Sequence, residues 1–206
     1  MTTDEIERLL LKGERVTLEC KKAQSSVPNS VWETYSAFAN TYGGLILLGV
    51  FENMKEKDSS KRFAITGVDD AEKVRKDFWN IVNNPEKVNV NLLKDGDVET
   101  IVMDGKMVIA INVPRADYNT HPVYINNNPI RGTFIRNHEG DYHCLEEMVT
   151  MMMRDANRDG NDRLFLKHYT MDDIDIPTLE RYRQRFQNRY TEHPFNSLDH
   201  QEFLRH

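Results

Sequence analysis

The stretch that most constrains this chain runs from residue 30 to residue 50, SVWETYSAFANTYGGLILLGV. Val31, Tyr35, Phe38 and Tyr42 recur at helical spacing, so the first half predicts an amphipathic helix. Ser30 followed by Glu33 has the form of a capping box and marks the helix start. Gly43 and Gly44 stop the helix, one of them as a left-handed C-cap residue. Residues 45–50 then form an apolar run too short for a helix and long enough for a strand buried on both faces. A helix passing through two glycines into a central strand organises a fold. It names no chemistry.

On either side the pattern is mixed. Residues 3–12 predict a short helix ended by Gly13. Residues 15–22 alternate, with Val16, Leu18 and Cys20 on one face and Thr17, Glu19 and Lys21 on the other. Glu19 and Lys21 therefore share a polar face or groove. Residues 51–62 read as a charged loop, 63–66 as a strand and 69–84 as a helix. The turn pairs Asp95-Gly96 and Asp104-Gly105 divide 88–94, 97–103 and 106–113 into a three-stranded meander. Short strands at 123–126 and 132–137 and a methionine-rich helix at 145–156 complete an α+β domain with a mixed sheet. Asp155 to Asp162 is a polar break, which divides the chain into a domain at 1–155 and a helical extension at 156–206. In that extension, residues 176–190 predict a helix with Leu179, Tyr182, Phe186 and Tyr190 as its apolar stripe, and 197–205 a last short helix. So small an extension has too little apolar surface for its own core, and its expected support is the main domain or another subunit.

Composition narrows the classes. No apolar run approaches a membrane span, and the acidic Asp4-Glu5-Glu7 start is unlike a signal peptide, so the expectation is a cytoplasmic protein without a membrane partner. The two cysteines do not suggest a disulfide scaffold. Residues 1–150 hold 18 basic and 23 acidic side chains, net −5, and residues 151–206 hold 9 and 10, net −1. Neither part is basic, so any nucleic-acid site is a local patch.

Several blocks resemble the core of Schlafen-type proteins, the AlbA-like domain once labelled a divergent AAA domain. They are Leu18-Glu19-Cys20-Lys21, where the family has Glu-Phe-Lys; Asn40-Thr41-Tyr42-Gly43-Gly44 with the strand after it; and Ile65-Thr66-Gly67. His121-Pro122-Val123-Tyr124 and Gly132-Thr133-Phe134-Ile135-Arg136 extend the likeness over roughly residues 10–150. The part after 150 is similar to the continuation in bacterial members, through Leu198-Asp199 and Glu202-Phe203-Leu204. The resemblance implies nucleic-acid binding in a transcriptional regulator or a RecG-like, helicase-related protein, with a further domain following in the same chain. Lys21, Lys22, Asn40, Arg131 and Arg136 are then the expected nucleic-acid contacts.

Two other readings stand beside it. Some Schlafen proteins are ribonucleases with two glutamates five residues apart and a further acid near the central strand, and Glu14 and Glu19 have that spacing. Such carboxylates hold divalent cations against phosphate oxygens, so a cation enters only with this reading. Phe51 occupies the position of the further acid and Glu52 comes one residue late, a shift that on a strand turns the side chain to the opposite face. The third reading is a protein-interaction module forming a homo-oligomer, to which the methionine-rich helix is suited. No other cofactor is expected. Residues 43–49 lack Gly-Lys-Ser/Thr and are no P-loop. Asp155-x-Asn157-x-Asp159-Gly160 begins like an EF-hand loop but has Leu166 where the bidentate Glu belongs. Cys20, Cys144, His138 and His143 lack zinc-site spacing. Arg181, Arg185 and Arg189 recur at i, i+4, i+8 on one helix face, either solvated or facing phosphates.

Overall fold

The computed structural model describes residues 3–12, 16–53, 55, 56, 58, 62–162 and 170–204. It divides into two compact units, 1–161 and 162–206.

The first unit is built on a mixed sheet. Strand β1 (Leu18–Lys21) runs parallel to β2 (Gly44–Leu48), pairing Glu19 with Ile46. Parallel neighbours need a crossover, and helix α2 (Ser30–Asn40) supplies it. β2 pairs on its other side, antiparallel, with β6 (Lys106–Val113), which forms a hairpin with β5 (Val98–Met103), giving the order β1-β2-β6-β5. β2 is central and buried on both faces, as its uninterrupted apolar sequence predicts. Ile46 and Leu48 face a core shared with Val31, Tyr35 and Phe38 of α2 and with Val74 and Phe78 of α3 (Ala71–Val82). Leu45 and Leu47 face a second core with Ile6 and Leu10 of α1 (Thr3–Lys12). Each fully buried side chain of this size contributes about 1.5–3 kcal/mol.

α2 is enclosed nearly all round, because its outer side packs against a hairpin of β7 (Phe134–Asn137) and β8 (Gly140–His143). It ends at Asn40, and Tyr42 lies beyond it, 67 % exposed, instead of continuing the apolar stripe. The predicted capping box is also absent: Asn29 is the N-cap and no side chain caps the helix. At Gly43, φ is +72° and a Cβ would stand 2.8 Å from the Val113 carbonyl, so the turn into β2 admits glycine alone without strain.

Gly49, at φ +94°, ends β2 and redirects the chain. The expected continuation to Val50 fails here. Strand β3 (Val50–Glu52) instead pairs with β4 (Phe63–Ile65) in a separate two-stranded sheet. The three-stranded meander reduces to the β5–β6 hairpin, because 88–94 forms no strand. Side chains fix that segment. Tyr35 donates to the Val90 carbonyl and accepts from the Leu92 amide, while Asn89 donates to Pro122 O and accepts from the Tyr124 amide. Residues 123–126 contribute only isolated bridges, Val88 to Ile125 and Tyr124 to Thr133, and a short helix, α4 (Pro129–Gly132), precedes β7. Helix α5 (Glu146–Asp162) runs on through the polar stretch read as a break, and Met148, Met151 and Met153 are exposed on it.

In the second unit, α6 (Ile176–Arg189) is followed by the short helix α7 (His200–Phe203). Its aromatic side chains pack on one another. Phe186 is the centre, with the rings of Tyr190, His193, Phe195 and Phe203 at 5.1–6.4 Å. Of the predicted stripe Leu179 is buried, whereas Tyr182 and Tyr190 are exposed. Among the described residues no helix is long and apolar enough to cross a membrane.

Candidate functional site

β1 is an edge strand, and its period of two puts Glu19 and Lys21 on one face, 2.7 Å apart between carboxylate and ammonium. The same carboxylate's other oxygen meets Arg136 at 2.9 Å. Arg136 comes from β7, and its second terminal nitrogen reaches Asp141 on β8 at 2.8 Å. The hairpin register pairs Arg136 with Asp141 directly, across a two-residue turn of His138 and Glu139. Arg136 also donates to the Leu18 carbonyl at 3.2 Å, and its guanidinium lies over the Phe38 ring, 5.1 Å from the centroid. Asp141 accepts a further hydrogen bond from the Thr34 hydroxyl on α2 at 2.6 Å.

Four charges of alternating sign, Lys21, Glu19, Arg136 and Asp141, thus run from the sheet edge inward and sum to zero. Only 2 % of the Arg136 side chain is exposed. A buried cation is tolerated when paired and hydrogen-bonded, and removing one partner leaves the other stranded at a cost of about 3–5 kcal/mol. The cluster therefore ties β1, α2 and the β7–β8 hairpin together.

Three members of this cluster, Glu19, Lys21 and Arg136, also line a cleft of about 340 Å³, together with Lys22, Phe51, Glu52 and Glu139 and with Cys20 between them. The expectation that Glu52 faces away from Glu19 is wrong, because the turn at Gly49 places β3 in another sheet and resets its facing. Glu52 accepts from Arg62 Nε at 2.7 Å. Burial pushes the Cys20 thiol's pKa up, and the charges of Glu52 and Glu19 add to that, against a smaller opposing effect of Lys21. The thiol stays protonated and unreactive at neutral pH.

The other sequence-derived residues scatter. Asn40 lines no surface. Its amide nitrogen donates to the Val123 and Phe134 carbonyls at 2.7 and 3.0 Å, and its oxygen accepts from the Val123 amide at 2.8 Å. With both ends of the amide engaged and 7 % exposure, it holds the 123 and 134 segments to α2 and is a structural bracket in this fold. Arg136 borders the cleft, but its guanidinium is engaged by Glu19, Asp141 and the Leu18 carbonyl. Lys21 is half-buried against Glu19, whereas Lys22 and Arg131 are exposed. Glu14 lies outside the described residues. The sequence reading missed Asp141 and Thr34. A hairpin turn read at His138-Glu139, with period-two strands on either side, would have set Asp141 opposite Arg136.

The sequence profile of the family described as Schlafen, AlbA_2 matches residues 14–145. The chain belongs to that family. Residues 150–206 match a second profile, described as a domain of unknown function, DUF8451. No curated protein matches the chain. Among solved structures, the chain is similar to the N-terminal domain of a protein from Nitrosomonas europaea described as related to the ATP-dependent DNA helicase RecG. The identity is 28 %, with a TM-score of 0.51 and coverage of 69 % of this chain and 92 % of that one. A protein from Corynebacterium diphtheriae is 16 % identical with a TM-score of 0.47, over 73 % of this chain and 31 % of that one.

The Schlafen AlbA_2 family raises the question of a divalent cation. Glu19 is held between two cations and Glu52 by a third, and among the described residues no group of three His, Cys, Asp or Glu side chains could hold a metal ion.

Proposed function

We propose that this AlbA_2 chain binds nucleic acid through a small number of phosphate contacts, as a module of a helicase-related or regulatory protein, and does not cleave it. The observation that carries the reading is the likeness to the N-terminal domain of the RecG-related protein, at 28 % identity over 69 % of the chain. The net charge of −6 limits the number of contacts, so affinity is low and strongly salt-dependent. Lys22 and Arg131 are the exposed cations of the first unit among those expected to touch phosphate. The ion pairs at Glu19 and Glu52 favour a binder over a nuclease, since each carboxylate would have to leave a cation before it could ligate a metal.

Fluorescence anisotropy with labelled single- and double-stranded DNA and RNA over a salt series tests the reading. Binding at low salt that falls steeply as salt rises is expected, with no cutting of structured RNA in magnesium or manganese. Absence of binding at low ionic strength, or metal-dependent cleavage, would overturn it.

A further inference from the structure

We infer that the outward arginine row of α6, Arg181, Arg185 and Arg189, is the chain's main phosphate-contacting surface; the inference rests on the nucleic-acid reading above. The segment 176–189 carries four arginines and one glutamate, net +3, in a chain whose total is −6. It is the one helix of the second unit long enough to present such a row among the described residues.

The four arginines divide by what holds them. Arg183 lies over the Phe203 ring, 5.0 Å from its centroid, and donates to the Leu198 carbonyl, which anchors α7. It stands on the side of α6 that carries Leu179 and Phe186. The other three point elsewhere. Arg181 is steadied by Thr178 Oγ1 at 3.0 Å, Arg189 stacks over Tyr190 with 5.6 Å to the centroid, and Arg185 is exposed between them. Neither Arg181 nor Arg185 has an acidic residue three or four positions away. The only acid of the helix, Glu180, stands about 100° round the axis from Arg181.

A row of like charges at i, i+4 weakens a helix by about 0.2–0.5 kcal/mol per pair. This helix holds two such pairs with no carboxylate of its own on that face, and only Arg189, in the last turn, gains from the helix dipole. An anionic partner would reverse the sign of the cost. The row extends over roughly 12 Å, a length in which one strand of a duplex presents about three to four phosphates. Tyr182, 59 % exposed and three positions before Arg185, adds an aromatic face beside the row. Arginine forks with a neighbouring aromatic ring suit a phosphodiester strand, contacting its backbone without reading its bases.

The test uses the full chain and short labelled DNA and RNA probes across a salt series. The triple variant Arg181→Gln, Arg185→Gln, Arg189→Gln is compared with Lys73→Gln, Lys76→Gln, Lys87→Gln, which removes the same charge from exposed positions of the first unit. The α6 triple is expected to flatten the slope of log K against log salt by about two to three, and the lysine triple to leave it nearly unchanged. Circular dichroism shows whether each variant keeps its helices. Equal slopes in the wild type and the α6 triple would overturn this inference while leaving nucleic-acid binding standing, and equal losses in the two triples would reduce it to bulk charge. If the wild type binds no nucleic acid at low salt, both readings fail. Polyglutamate bound as tightly as the nucleic acid, and lost with the same three arginines, would instead assign the row to an acidic protein partner.

Discussion

Arg136 and Arg185 carry the same guanidinium in opposite settings. Arg136 has Glu19 at 2.9 Å, Asp141 at 2.8 Å and an aromatic ring beneath it, with almost none of its side chain in water. Arg185 stands exposed on α6 between two further arginines. In the first setting the charge is neutralised within the chain, and its energy goes into joining three elements. In the second the charge stands in solvent. The difference shows why counting basic residues near a motif does not find the cations open to solvent: a cation desolvated against two carboxylates is already engaged within the chain.

If that contrast is right, substitutions should sort by setting. The largest effect is expected from Arg136→Met, which strands Asp141 and half-strands Glu19. Chemical denaturation should register a loss of about 3–5 kcal/mol, and a loss below 1 kcal/mol would place Arg136 with the solvent-facing arginines. Next comes Asn40→Asp, which keeps the shape but turns an oxygen toward the Val123 and Phe134 carbonyls. The expected cost is about 2–4 kcal/mol, with nucleic-acid affinity unchanged in whatever fraction remains folded.

Tyr35→Phe is expected to cost about 1–2 kcal/mol at neutral pH, through the lost bonds to 90 and 92. It also carries a pH signature. Burial pushes the Tyr35 hydroxyl from 10 up to about 12, against a smaller lowering by the Leu92 amide. Between those values the unfolded chain sheds this proton first and binds fewer, so stability falls as pH rises through that window. Denaturation from pH 9 upward should show a steeper decline in the wild type than in Tyr35→Phe. The smallest effect on stability belongs to the row of Arg181, Arg185 and Arg189 on α6. Each Arg→Gln change there should stay within about 0.5 kcal/mol, since nothing buried depends on it.

Much of this fold was legible in the sequence because its strongest signals are local. The helix at 30–40, the diglycine turn, the doubly buried strand and the Asp104-Gly105 hairpin each follow from residues near one another in the chain. The misreadings involve partners far apart in sequence. Residues 88–94 look like a strand by pattern, yet Tyr35 and Asn89 satisfy that backbone with side chains. The facing of Glu52 depends on one left-handed glycine, which period-two counting cannot register. For the candidate site, pairing Glu19 with Lys21 needed only alternation. Finding Arg136 and Asp141 beside them needed the register of a hairpin more than a hundred residues on. Asn40 drew attention as a polar residue at a motif, and its burial against two distant carbonyls is invisible from its neighbours.

The central claim is that the charges around Glu19 serve the fold. The most direct measurement takes a single variant, Glu19→Gln, and reads both its unfolding free energy and its nucleic-acid affinity across a salt series. It should lose about 2 kcal/mol or more of stability, because Arg136 forfeits one of its two carboxylates, while the salt slope of binding stays that of the wild type. Unchanged stability with weakened binding, or the loss of a metal-dependent cleavage present in the wild type, would contradict the account and return Glu19 to the chemistry of a working site.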